Sequence, residues 1–262
     1  MNRFPGTCRD CGRYVPVGGG NFHTGKEREE TLRFVHECEE HWAVHVVWLE
    51  WSANDPGYQV VTFETAARNG EPLSGIIAKK GFLPNAVTRF CTIEAKVRTM
   101  KKFMQRGRGV KRWVNAVGLR HDEGHRCLKA YARNASNKEP FTTVLPLDKA
   151  RVTKADVTAF WRAQNFDLQL KSYEGNCDLC FLKSRAKKLA IIRENPGCAD
   201  WWIGEEVAVT ETAKTTGARF TTEYSYADLA REVAQQPHLF DEPTGDDYDA
   251  ECGLTCAPEE AA

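Results

Sequence analysis

The sequence predicts an α/β fold with a largely parallel sheet, on three observations. Runs rich in β-branched and aromatic residues alternate with stretches of helical periodicity. Gly, Pro and Asn punctuate the junctions. A length of 262 residues, 42% of them hydrophobic, suffices for one domain with a sizeable core plus appendages.

The elements follow in order. The first 20 residues, with Cys8-x-x-Cys11 and glycines at 18, 19 and 20, predict neither helix nor strand. Lys26 to Trp42 predicts a helix: Glu27, Glu29 and Glu30 complement the dipole of its first turns, and Leu32, Val35, Cys38 and Trp42 recur at helical spacing. Val44 to Trp51 reads as a strand closed by the turn former Asn54-Asp-Pro-Gly57, followed by a short strand from Gln59 to Phe63. A helix from Leu73 to Lys80 and a basic amphipathic helix from Thr92 to Gln105 precede strands at Trp113–Val117 and Thr142–Leu145. Thr153 caps a helix to about Ala163, and Phe181 to Glu194 predicts a second basic helix stopped by Asn195-Pro196. In such a fold the ligand crevice lies at the carboxyl ends of the strands.

The 36 basic and 36 acidic residues cancel, which argues against a protein whose main business is coating DNA, RNA or an anionic membrane. A local basic patch, and with it nucleic acid, stays open. No apolar run approaches the roughly 20 residues of a membrane helix, and MNRFPGTCRDCGR holds no apolar signal core. The expected location is the cytoplasm, where ten cysteines read as metal ligands, redox thiols or core fillers rather than disulfides.

Three loops stand where backbone amides and helix N-termini bind anions: Phe22-His-Thr-Gly-Lys26, Asn85 to Thr92, and Gly118-Leu-Arg-His-Asp-Glu-Gly-His-Arg126. Planar guanidinium forks match tetrahedral anions. On these loops the sequence resembles the family of phosphoadenylyl-sulfate (PAPS) and adenylyl-sulfate reductases with their phage and bacterial relatives, in the adenine nucleotide alpha-hydrolase superfamily. Thr24-Gly25 with Glu27 and Glu30-Thr31 looks like the family's Asp-Thr-Gly turn and following helix. Arg89-Phe-Cys91 followed by Lys96 is similar to its Arg-x-Cys-x-x-x-x-Lys element. Gly118-x-Arg120-x-x-Glu123-x-x-Arg126 is similar to its Gly-x-Arg-x-x-Glu-x-x-Arg loop. The match runs from about residue 22 to 210 and implies an adenine sulfonucleotide across the strand ends, with Arg89, Lys96, Arg120 and Arg126 toward its phosphate or sulfate groups.

Relatives open with a strand and a Ser-Gly-Gly-x-Asp-Ser phosphate loop. This sequence has neither, so the expected domain is Rossmann-like without its first strand. Cys177-x-x-Cys180 looks like the pair of the iron-sulfur members; with Cys91 it gives three thiolates for a four-iron four-sulfur cluster with one open iron, or a zinc site completed by His125 or Cys127, or simply packed thiols. Cys8-x-x-Cys11 resembles one knuckle of a zinc ribbon. Glu251-Cys252-Gly-Leu-Thr255 looks like the tail motif of the reductases, which makes Cys252 the catalytic nucleophile and implies thioredoxin or glutaredoxin as electron donor. Cys38, Cys127 and Cys198 are expected to pack, as are Trp201-Trp202 and Tyr224-Ser-Tyr226.

The expected organisation is a knuckle-like segment at 1–21, an α/β domain at 22–240, and an acidic tail with Cys252 at 241–262. The leading reading is a reductase that releases sulfite from an adenine sulfonucleotide in a bacterial or phage-infected host, with a homodimer allowed. The alternatives are an iron-sulfur-dependent sulfurtransferase or nucleotide-modifying enzyme of the same superfamily, and a non-catalytic nucleotide- or zinc-binding module.

Overall fold

The computed structural model describes residues 6–7, 14–15, 19–171, 173–214 and 216–235. Cys8, Cys11, Cys252 and Cys256, and so the knuckle and the tail nucleophile, lie outside the described residues.

The chain is mixed α/β, with the sheet divided rather than continuous. A small ribbon pairs β1 (Gly6–Thr7) antiparallel with β2 (Tyr14–Val15). The next sheet has the order β3 (Gly19–Phe22), β4 (Val46–Trp51), β5 (Tyr58–Val61). β3 and β4 run parallel because α1 (Glu29–Trp42) makes the crossover, whereas the short turn at 52–57 can only return β5 antiparallel. A separate parallel pair, β6 (Trp113–Ala116) and β7 (Phe141–Val144), is completed by its own crossover helix α5 (Gly124–Ser136), after α2 (Glu71–Lys80) and a helical run at 90–107. In that run, α turns α3 (Phe90–Thr92) and α4 (Thr99–Lys102) alternate with π turns at Ile93–Arg98 and Phe103–Gly107. α6 (Pro146–Lys149), α7 (Lys154–Arg162), α8 (Arg185–Glu194), α9 (Asp200–Ala213) and α10 (Tyr226–Gln235) follow.

Three expectations are corrected. The opening 20 residues do reach a strand: Gly19 and Gly20 pair with Val46 and Val47. Glycine carries no side-chain pattern, so periodicity could not find it. In place of the single, largely parallel sheet, the described residues form the β1–β2 ribbon and two separate sheets that each hold one parallel pair, so the three anion loops do not share one sheet edge. α5 was hidden between two strands, because its apolar face buries only Cys127 and Ala130.

Helix starts are set by caps and by competing pairing. Thr153 and Asp156 form a reciprocal capping box on α7. Ser184 accepts from the Lys187 N–H, so α8 begins at Arg185 rather than Phe181. α1 begins three residues after Lys26 because residues 26–28 are engaged elsewhere: Asp178 N–H donates to Lys26 O at 3.0 Å and Arg28 N–H to Asn176 O at 2.8 Å.

The main core joins α2, the 90–107 run and α8 to α10 around Ile76, Leu179, Leu189 and Trp202. Each fully buried Leu or Ile there contributes about 1.5–3 kcal/mol. Trp202 stacks on Tyr226 with ring centroids 5.0 Å apart, as the packing expectation required. Smaller cores lie under β4 (Leu32, Trp48, Ala66) and beside β7 (Leu119, Cys127, Ala130, Leu145). No helix among the described residues is long and apolar enough to cross a membrane.

Candidate functional site

Three segments far apart in sequence meet just beyond the carboxyl end of β3. The first is the Thr24-Gly25 turn. Gly25 has φ +80°, and a Cβ there would stand 3.0 Å from the backbone of Gly70 and from Pro72. The turn is pinned to the start of α2, with Gly70 N–H donating to Gly25 O at 2.9 Å and Leu73 N–H to Thr24 O at 3.3 Å. Only a residue without a Cβ permits this left-handed, close-packed corner.

The second segment is the loop carrying Cys177 and Cys180, which lies along residues 26–28 through the backbone bonds above and a bridge from Glu27 to Cys177. Side chains reinforce the seam. Lys26 Nζ is 2.8 Å from Asp178 Oδ2, and Trp202 Nε1 donates to Asp178 Oδ1 at 3.0 Å. Arg28 pairs with Glu174, and Lys183 Nζ donates to the Cys177 carbonyl at 2.9 Å. The third segment is the start of the 90–107 run, which brings Cys91, Thr92 and Lys96.

Together Thr24, Lys26, Cys91, Thr92, Lys96, Cys177 and Cys180 line one small cavity, with Leu73, Phe181 and Trp202 as its apolar walls. Its interior of about 20 Å³ has room for a water-sized occupant. The Thr92 hydroxyl is buried on this lining without a hydrogen-bond partner among the described residues, so the cavity offers a polar guest a ready contact.

Glu27 organises the charges. Its Oε2 accepts from Thr24 N–H at 2.7 Å and from the Thr24 hydroxyl at 3.0 Å, and its Oε1 lies 3.4 Å from Lys96 Nζ. Burial pushes the Glu27 carboxyl up, but Lys96, His23 and the Thr24 N–H outweigh it and hold it below the ordinary carboxylate value. Behind it, His23 Nε2 is 3.0 Å from Glu50 Oε1, both side chains being buried. Burial raises Glu50 as well, yet His23, the Ala67 N–H and Gln59 bring it below its usual value.

Of the residues expected from the sequence, Thr24, Lys96, Cys91, Cys177 and Cys180 thus line one cavity; Gly25 builds the turn behind it, and Arg89 immediately precedes the 90–107 run. Gly118, Arg120, Glu123 and Arg126 stand apart, at the end of β6. There Glu123 accepts from Arg120 N–H at 2.9 Å and pairs with Arg126, while Arg120 Nε reaches Asp122 Oδ1 at 3.1 Å. These two arginines do not line the cavity. In the sequence Lys26 and Glu27 stand only as members of the first loop and its motif, with no site role of their own, and Asp178 is passed over. Their sequence signal was weak: a basic residue beside Thr-Gly, and an Asp inside Cys-x-x-Cys.

The donor chemistry of Cys91, Cys177 and Cys180 suits a thiophilic group. Among the described residues no set of three or more His, Cys, Asp or Glu is gathered as a metal shell. Cys198 and Cys38 are packing thiols: burial pushes them up to about 12 and about 11.

No protein-family profile matches the chain, and no solved structure matches it. It is similar to "Uncharacterized nin region protein ORF290" of Escherichia phage lambda, 28% identical over 173 residues, which cover 63% of this chain and 56% of that protein. The match therefore spans little more than half of the lambda protein.

Proposed function

We propose that the chain is a PAPS/adenylyl-sulfate reductase-like protein with a Rossmann-like adenine nucleotide alpha-hydrolase domain. One observation carries the reading: Thr24, the Cys91–Lys96 stretch and Cys177-x-x-Cys180, which the resemblance groups by function, line a single cavity at a strand end. Lys26 and Lys96 supply positive charge for the sulfonucleotide, and Glu27 holds Lys96 in place. Arg120 and Arg126, fixed by Glu123, form the second cationic group. In this reading the Cys252 thiolate attacks the sulfonyl sulfur, forming an S–S bond as the sulfur–oxygen bond to the nucleotide phosphate breaks. A thioredoxin-type dithiol then supplies two electrons, leaving as a disulfide while sulfite is released.

The full chain incubated with PAPS or adenylyl sulfate, thioredoxin and its reductase is expected to release sulfite, and Cys252→Ser to abolish it. Undiminished sulfite release from Cys252→Ser overturns the assignment, as does the lack of any calorimetric binding of either nucleotide.

That Cys91, Cys177 and Cys180 share one lining supports a second reading, sulfur transfer or nucleotide modification through an iron-sulfur group, for which the three thiols would have to close in from the positions they hold here, where they are not gathered as a metal shell. Such a group, when bound, supplies redox or sulfur-donating chemistry. Anaerobically purified protein is then expected to contain iron and acid-labile sulfide, lost together in Cys177→Ser. Colourless, iron-free protein removes this reading.

A further inference from the structure

The 90–107 run has a face that the thiol cavity does not use. From residue 95 to 112 the chain carries eight Lys or Arg and no Asp or Glu. Lys96 turns toward Glu27 at the thiol cavity, Lys101 pairs with Glu139, and Arg106 lies 3.2 Å from the exposed Asp55. Arg98, Lys102 and Arg106 recur every fourth residue, a row of about 12 Å at the helical rise. Beside it ends α2, with Lys79 and Lys80 exposed.

These two helices enclose a cavity of about 200 Å³ lined by Lys79, Lys80, Glu94 and Arg98 over a floor of Trp51 and Ile76. Its one carboxylate is already shared. Glu94 Oε1 is 2.7 Å from Lys80 Nζ and 2.6 Å from Arg98 Nη1. Lys79 and Lys102 add charge that Glu94 does not match. Burial, then Lys79 and Arg106, push the Lys102 ammonium below its ordinary value, and the attraction of Glu94 does not restore it. Like charges held together in this way favour an incoming anion.

We propose that this face binds the phosphodiester backbone of a nucleic acid, with one phosphate seated among Lys79, Arg98 and Lys102. The row favours a polymer over a lone phosphate, because its length of about 12 Å extends well beyond a single anion, and the chain that follows it adds Arg108, Lys111 and Arg112 in sequence. The buried floor offers no free aromatic face for a base, so binding is expected to be insensitive to sequence. The neutral charge of the whole chain makes the patch a local device and not a property of composition. This inference does not depend on the sulfur chemistry proposed above.

The test is fluorescence anisotropy of the full chain with labelled 20-mers of duplex DNA, single-stranded DNA and RNA at about 50 mM salt, where such contacts are strong. A Lys79→Gln/Arg98→Gln/Lys102→Gln triple variant is compared with Arg162→Gln/Lys214→Gln/Arg219→Gln, which changes net charge equally at exposed positions elsewhere. Micromolar binding is expected, weakened at least about tenfold in the first triple, with its logarithmic salt slope lowered by roughly 2–3. The second triple is expected to change affinity less than about twofold. The proposal is overturned by equal losses in both triples, by the lack of binding to every 20-mer, or by binding of inorganic tripolyphosphate alone.

Discussion

The Glu27 and Glu123 carboxylates do the same local work and live in different surroundings. Each stands just before a helix and accepts the backbone N–H three residues upstream, at 2.7 Å from Thr24 and 2.9 Å from Arg120. Each is buried and joined to basic side chains. The partners of Glu123 are Arg120 and Arg126, three residues away on either side. Those of Glu27 include Lys96, and its own segment is stitched to residues 174–178 by backbone bonds and two ion pairs. The Glu123 motif therefore positions its cations by local geometry, while the Glu27 motif is held only when distant parts of the chain have folded. Stability and function should be separable at the Glu123 loop and inseparable at the Glu27 seam.

The sharpest way to break that contrast is Asp178→Ala. It removes the partner of Lys26, whose side chain is 10% exposed, and the acceptor of Trp202 Nε1 in the main core. Leaving a largely buried charge unpaired costs about 3–5 kcal/mol, and urea unfolding should show a loss of that order. Arg126→Ala, whose side chain is 21% exposed and whose partner is local, should cost about 1 kcal/mol or less. Comparable losses in the two variants would mean that the seam is no more integrated than the loop.

The motif glycines give a smaller, cleaner test. Gly25→Ala places a Cβ at φ +80° and 3.0 Å from the Gly70 backbone, neither of which can yield easily, and about 1–3 kcal/mol should be lost. Gly118 is exposed, does not have a positive φ, and a Cβ there meets nothing nearer than Leu147 Cδ1 at 3.7 Å. Gly118→Ala should leave the thermal midpoint unchanged, within about 0.5 kcal/mol.

The same division governs how much was legible in the sequence. Elements with a local signal were readable: the Thr153 capping box, the β4 run, the Asn54–Gly57 turn, and the two motif loops themselves. β3 was not, because its Gly-Gly-Asn carries no strand propensity and it forms only by pairing with β4. The divided sheet was not, because nothing in a strand's own residues says which neighbour it will pair with. At the site, Cys91, Cys177 and Cys180 could be grouped by resemblance, whereas Asp178 and Lys26 owe their importance to a contact across 152 positions. Arg120 and Arg126 were expected beside Lys96, yet both pair with Glu123 next to the β6–β7 pair.

The smallest expected effect is a difference in acid sensitivity. The fold holds Glu27 below the 4.5 of an ordinary Glu carboxyl. The folded state therefore prefers the carboxylate, so this contribution is fully present above about pH 4.5 and is lost as pH falls toward the lowered folded value. Glu50 has the same sign, through His23. Thermal midpoints measured from pH 6 down to 3 should fall less steeply in Glu27→Gln than in the unaltered chain, because the variant has no proton to take up there. Its midpoint at pH 6 should already be lower, since a neutral amide cannot match the Lys96 ammonium. Parallel curves for the two proteins would show that Glu27 titrates alike in folded and unfolded chains, and that the seam draws its strength from its backbone bonds and from the Lys26–Asp178 and Arg28–Glu174 pairs instead.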